Sequence, residues 1–401
     1  MIILITILSI LFDFIDFSLF IFFPKLVNKS FIGMDSEVIE FSFLAFAIAY
    51  LSRSIGACVL IPRLKKLESS KSAIILTGAF VLIPSFLIII LPSYASIGIS
   101  SYIIFMLLRF LQGFGVGVDF PVTIFYIFKK FNSLSKTTVV FSFGAIGLFF
   151  SFYFASVIKN THLFHFFYQG ENWRWLFLAI FMLSLLSLLF RIILKKEAYN
   201  NFLKEDLSVF KFKIKQFFYN LLISYLYGVC FYTFFVYLPF FYDVSSKFKA
   251  TCENFLLSIF ITFFTLFLFR KKDDGKTAFS VLFTANIVGL LGFVFLSLNN
   301  VSLSYQLLFL AIIIGLYASS FVYCMLCSTT FYTFAIAYNL GQGLASFTAP
   351  IIGKEFPKIG LNIYTYLFLF TFFSIFALWR TRHFYFDLSK ITIKIRDQHG
   401  N

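Results

Sequence analysis

The chain has 401 residues, 60% of them hydrophobic and only 13% charged, with a mean hydropathy of +0.92. So little polar surface excludes a water-soluble globule and makes lipid the solvent. The net charge of +15 does not point to nucleic acid, because the basic residues fall in short runs between apolar segments and never form one patch.

The N-terminal apolar stretch lacks a basic leader and outruns a signal peptide, so it reads as a retained first span. Apolar runs of about 20 residues, enough to cross a bilayer core, lie near 4–24, 41–62, 72–92, 101–128, 137–158 and 174–194. A second set of six lies near 216–241, 253–269, 277–298, 303–326, 330–352 and 361–379. They lack the alternation of barrel strands, and backbone polar groups in lipid must be satisfied internally, so all twelve are helices. The fold class expected is an all-α membrane protein of twelve transmembrane helices in two six-helix halves.

Residues 195–215 form the longest inside connection and divide a six-helix bundle at 1–194 from a second at 216–380, with a cytoplasmic tail at 381–401. Of the 33 Lys and Arg, 23 fall in segments on one side of the membrane and 8 on the other. By the positive-inside rule both termini face the cytoplasm. Each half also has a short basic loop after its second span, Arg63–Lys71 and Arg270–Lys276, a weak internal repeat of the kind transporters show.

The two remaining bases, Arg53 and Arg109, lie inside spans, as do three acids, Asp13, Asp16 and Asp119. An ionised side chain at bilayer depth costs about 2.5–3.5 kcal/mol even on the lenient insertion scale, so each needs a partner or a wet cavity. All five belong to spans one, two and four. Asp13 and Asp16, three residues apart, share a helix face. Two neighbouring buried carboxylates raise each other's pKa, which suits proton binding and release. Permanent pairing of both with Arg53 and Arg109 is the structural alternative. Arg109 and Asp119 stand about 15 Å apart along one helix axis and cannot pair with each other, so Arg109 requires a carboxylate from another span. Gln112 follows Arg109, and Gly113 with Gly117 has GxxxG spacing, which allows close helix contact.

The five cysteines lie in or beside apolar segments; Cys324 and Cys327 have CxxC spacing with no His or second Cys pair nearby, and read as core packing. No metal-ligand cluster or phosphate-cradling glycine loop occurs in the sequence, so nothing in it runs metal catalysis or ATP hydrolysis. The reading is of a non-enzyme without cofactor.

Several stretches carry a resemblance. Arg109-Phe-Leu-Gln-Gly-Phe-Gly-Val-Gly-Val-Asp-Phe-Pro121 is similar to a fourth-span RxLQGxxxGGE signature, and Leu11-Phe-Asp-Phe-Ile-Asp-Phe-Ser-Leu19 to a first-span EWYDFxxY pattern. Arg53-Ser-Ile-Gly56, Leu91-Pro-Ser-Tyr-Ala-Ser-Ile-Gly98, Trp173-Arg-Trp-Leu-Phe177, and Tyr338-Asn339 with Ala349-Pro350 agree in order. The chain thus resembles the metabolite:proton symporters of the major facilitator superfamily, with proline and glycine-betaine transporters as nearest relatives. The resemblance implies proton-driven uptake of a small zwitterion by alternating access, with the proton gradient as energy source and the solute near the midplane between the halves. It nominates Asp13, Asp16 and Asp119 for proton coupling, and Arg53, Arg109, Gln112, Tyr338 and Asn339 for substrate contact or a charge network. Protons, a small solute and membrane lipid are the implied partners, and a monomer in the bacterial inner membrane the implied setting. The departures are Val118 and Asp119 within the GGE element, Lys129-Lys130 in place of the usual acidic residue after Pro121, and Ile61–Lys71, which keeps basic charge but loses the glycines and Asp of the family's gating loop. They leave a transport-inactive or sensor-type membrane protein, or an organic-acid transporter, as alternatives.

Overall fold

The structure, a computed structural model, describes residues 2–35, 40–64, 66, 70–131, 133–159, 161–204, 211–238, 244–269, 275–299, 301–328 and 330–386. Among them every regular element is helical, and the twelve apolar runs appear in order. Numbered by span, α1 is Ile2–Ser18 continued by a 3-10 turn at Leu19–Phe22 and by Pro24–Phe31. Then come α2 (Glu40–Leu64), α3 (Ser70–Ile90), α4 (Ser100–Phe131), α5 (Leu134–Lys159) and α6 (Trp173–Lys204). In the second set α7 is Ile214–Tyr232 with a π-helical turn at Thr233–Tyr237, followed by α8 (Val244–Phe269) and α9 (Gly275–Leu298). The tenth, α10, has two pieces, Leu303–Ala318 and Phe321–Ser328, and α11 (Phe331–Glu355) and α12 (Ile363–Phe386) complete the set. Eight of the described helices are long and apolar enough to cross a membrane unaided.

The exposed faces are apolar, as lipid demands. Leu107, Leu291 and Phe295 are more than half exposed, whereas Arg109, two residues from Leu107, is 1% exposed. The surface is thus apolar as well as the core, unlike the polar exterior of a soluble bundle, and a charged side chain within a span turns inward.

The interruptions of α1, α7 and α10 are absent from the sequence reading, which treats each run as one rod. Two have a local cause. Pro24 lacks an N–H and restarts α1 as a first-turn residue. In α10 the hydroxyls of Ser319 and Ser320 donate to the Leu316 carbonyl at 2.7 and 3.2 Å, replacing ladder bonds with local ones. The connection expected at 195–215 is shorter than read: α6 runs on to Lys204, because Lys195, Lys196, Glu197 and Ala198 are good helix formers. Residues 205–210, most of the loop at 65–69 and the tail from 387 lie outside the described residues.

The chain divides into two compact units, one of Met1–Tyr126 with Phe143–Glu205, the other of Ile127–Ser142 with Asp206–Asn401. In the first, α2 and α4 meet through glycine. A Cβ on Gly113 would strike the Ala49 carbonyl and Ser52 Oγ, one on Gly117 the backbone of Arg53, and one on Gly56 the backbone of Phe114. Gly144 and Gly147 of α5 similarly admit Phe14 and the Leu11 carbonyl of α1, and Ser18 Oγ donates to Ser151 Oγ across that seam at 2.8 Å.

In the second unit α7 and α11 interlock. Gly341 lies against Ser224 and Gly228 against Ala345, while Gln342 Nε2 donates to the Ser224 carbonyl at 2.9 Å. Tyr227, Phe321, Phe141 and Tyr338 form a buried aromatic group, with Tyr227 and Phe321 stacked at 4.1 Å.

Candidate functional site

The five intramembrane charges all lie in the first unit. Arg53 and Arg109 are among the largest fully buried side chains described, and Asp16 and Asp119 are 3% and 2% exposed; Asp13 is half-buried. The tight α2–α4 crossing places these groups. Where Gly113 and Gly117 remove side chains from α4, the backbone carrying Arg53 comes directly against it. Arg53 thereby sits at the level of Gly117, two residues from Asp119.

Around Arg109 the geometry is specific. Its Nη1 donates to Gln112 Oε1 at 2.9 Å, and Gln112 Nε2 donates to Ser85 Oγ on α3 at 2.7 Å. Ser85 in turn donates to the Val81 carbonyl at 2.9 Å. The charge of Asp16 on α1 acts on the Arg109 guanidinium, and the Phe105 ring lies 5.3 Å from it. Three spans, α1, α3 and α4, therefore converge on one buried cation, with its amide relay ending on a backbone carbonyl. The arrangement holds a fixed positive charge in a low-dielectric interior, where it interacts far more strongly with an anion than in water.

Arg53 is held differently. Its guanidinium lies 3.8 Å from the centre of the Tyr50 ring and 5.9 Å from that of Phe14, an arrangement in which ring quadrupoles stabilise a desolvated cation. Asp119 accepts, through its backbone carbonyl, a bond from Thr123 Oγ1 at 2.8 Å. Pro121 follows in the same helix and removes one backbone donor from that turn.

The structure separates the surroundings of Asp13 from those of Asp16. Asp13 Oδ1 accepts a 2.5 Å bond from Ser187 Oγ of α6, and Ser187 Oγ lies 3.3 Å from Ser9 Oγ. A three-residue step on a helix rotates by about 60° net, enough to turn one carboxylate to α6 while the other acts on Arg109 of α4. Ser9, Ser85, Tyr50 and Ser187 were not distinguished in the sequence, where hydroxyls and rings are common in every span. Their signal lies in neighbours contributed by other helices.

Tyr338 and Asn339 lie in the second unit, 3% and 1% exposed. The Tyr338 ring stacks near Phe334 at 5.9 Å, and its carbonyl accepts from Ser224 Oγ at 3.1 Å. No group of three or more His, Cys, Asp or Glu that could hold a metal occurs among the described residues.

Outside the spans, the end of α1 carries a second cluster. Tyr168 donates its phenolic hydrogen to Asp35; Lys25 Nζ lies 3.5 Å from Asp35; Lys29 Nζ sits 3.8 Å from the centre of the Tyr168 ring and donates to its carbonyl at 3.0 Å. The Tyr168 bond, and then the lysines, hold the Asp35 carboxyl below its ordinary value of 3.8.

Known proteins give this arrangement a context. A citrate-proton symporter of Klebsiella pneumoniae is 33% identical over 106 residues, which cover 26% of this chain and 24% of that protein; the match thus spans about a quarter of either. The structure of the proton:xylose symporter XylE is similar in fold, with a TM-score of 0.67 and 12% identity over 97% of this chain and 94% of that one. That of a bacterial homologue of the iron transporter ferroportin, in an outward-facing state, gives a TM-score of 0.62 and 11% identity over 97% and 100%. At such identities these likenesses establish the fold alone. The family model described as Major Facilitator Superfamily matches residues 5–350, and this chain belongs to that superfamily of membrane transporters.

Proposed function

We propose that the chain is a proton-coupled secondary transporter, importing a small zwitterionic metabolite such as proline, betaine or another amino acid by alternating access. It works in a bacterial inner membrane as a monomer with both termini cytoplasmic, and uses the proton gradient without a cofactor. The observation that carries the reading is the buried Arg109, which engages Gln112 and the charge of Asp16 together. A fixed cation of this kind attracts a solute carboxylate, and Asp13, Asp16 and Asp119 offer sites for the proton and for the solute's own positive charge. A carboxylate that is neutralised when a proton arrives changes its attraction for Arg109, which is the differential interaction that coupling requires. Arg53, Tyr338 and Asn339 complete the proposed set of contacts.

A second reading, an organic acid in place of the zwitterion, is favoured by the relatedness to citrate-proton symporters. Purified protein in liposomes, given an inward proton gradient and labelled proline, betaine or citrate in parallel, separates the two. Accumulation of a zwitterion that collapses with a protonophore is expected. Accumulation of citrate alone replaces the first reading with the second, and gradient-independent behaviour toward a broad panel contradicts both.

A further inference from the structure

We infer that Ser187 is the positioning residue through which Asp13 exchanges its proton, linking it by way of Ser9 to the N-terminal end of α1. The inference rests on the proton-coupled reading above and deepens it by giving Asp13 and Asp16 different tasks.

Thr6, Ser9 and Asp13 recur at three- and four-residue spacing, one stripe of α1. Thr6 and Ser9 are 3% and 1% exposed, and Ser187, which faces the stripe from α6, is 1% exposed. A hydroxyl has one hydrogen to give and can accept as well. Ser187 is 2.5 Å from Asp13 Oδ1 but 3.4 Å from the Ser9 carbonyl, so its hydrogen goes to the carboxylate. The 3.3 Å approach of Ser9 Oγ to Ser187 Oγ then has Ser9 donating, and the two hydroxyls point in series toward Asp13. When Asp13 is protonated, Ser187 passes its hydrogen to the carboxylate and takes one from Ser9. Ser9 is restored by a hydronium ion, which leaves as water. The net change is one carboxylate converted to a carboxylic acid, with both hydroxyls regenerated.

Charged groups other than Asp13 are distributed over several helices. Asp16 shares α1, and α2 brings Arg53 near Phe14. From α4 come Arg109, on which Asp16 acts, and Asp119. In α5 charge is confined to Lys136 and Lys159 near the ends. Along α6 lie Arg174 in the first turn, then Arg191 four residues beyond Ser187, and Lys195, Lys196, Glu197 and Lys204; the side chains from Arg191 on are outside the described set, apart from Ile192. Asp16 keeps the fixed cation company, while Asp13, on the hydroxyl stripe, carries the mobile proton.

The test needs no solute, only protons. Infrared titration of the purified full-length protein in lipid follows the carboxylic acid band, assigned by its loss in Asp13→Asn, or by its displacement in Asp13→Glu if the first variant does not fold. Ser187→Ala, which breaks the chain of hydroxyls next to the carboxylate, is expected to slow the band's rise after a pH jump severalfold, and Ser187→Thr to restore it. Ser9→Ala, which leaves the Asp13 contact in place, slows the band's rise after a pH jump severalfold. A rate of rise indifferent to Ser187→Ala, or the absence of any band belonging to Asp13, overturns the inference. Proton-driven uptake by the same preparation keeps the readings distinct. Uptake without Asp13 titration removes this inference and leaves symport standing; Asp13 titration without uptake does the reverse.

Discussion

Gly117 of α4 lies so close to the backbone of Arg53 on α2 that a single methyl group cannot be inserted between them. Because helix backbones cannot yield as a flexible side chain does, Gly117→Val must push α2 outward along with Arg53. Overpacking of this kind costs about 1–3 kcal/mol. The variant is expected to melt at lower temperature in detergent and to lose uptake even where it still folds. Wild-type stability in Gly117→Val would show that the two helices are not in the described contact.

Arg109 is recognised as a fork, with one nitrogen committed to Gln112. Lysine keeps the charge but not the planar geometry, so Arg109→Lys should retain a fraction of uptake, reduced on the order of tenfold, a loss of about 1.4 kcal/mol. Arg109→Gln leaves Asp16 facing a neutral group and is expected to abolish uptake. Initial rates in proteoliposomes check both, and normal transport by Arg109→Gln would remove the charge network from the mechanism.

The Gln112 to Ser85 bond is interhelical and buried, so a double-mutant cycle can isolate it. Polar pairs inside membrane bundles couple by about 0.6 kcal/mol on average. Ser85→Ala and Gln112→Ala should each destabilise the protein, and their combination should do less harm than the two losses added. Strict additivity in unfolding measurements would mean that the bond contributes nothing.

Much of the fold was legible because lipid imposes a blunt rule on sequence. Twelve apolar runs, the five charges within them and the glycines at 113 and 117 could all be read from residue type and spacing. The interruptions in α1, α7 and α10 could not, since a run that stays apolar looks the same whether its helix is continuous or broken. Nor could the divergence of Asp13 and Asp16. Three-residue spacing says that two side chains share a broad face, but α6 supplies Ser187 to one and α4 supplies Arg109 to the other, and neighbours of that kind are a property of packing.

A pH effect is expected at the end of α1. The carboxyl of Asp35 is depressed below 3.8 by its bond from Tyr168 and by the lysines. A depressed carboxyl stabilises the folded contact above its ordinary value, and that contribution disappears as pH falls through the depressed one. Hydrogen exchange in residues 24–35, corrected for intrinsic rates, should therefore lose protection as pH drops below about 4, and Asp35→Asn should remove the pH dependence. Protection that stays level in the wild type down to strong acid would contradict the assignment.

Protons and solute are expected to move together through a protein whose intramembrane charges include Arg109 and three aspartates. That coupling is tested most directly by a pH-sensitive dye sealed inside proteoliposomes, with no gradient imposed and solute added outside. Acidification of the lumen on addition of the transported solute, absent in Asp16→Asn and in Arg109→Gln, is the expected result. Solute entry with no change in lumenal pH would contradict it.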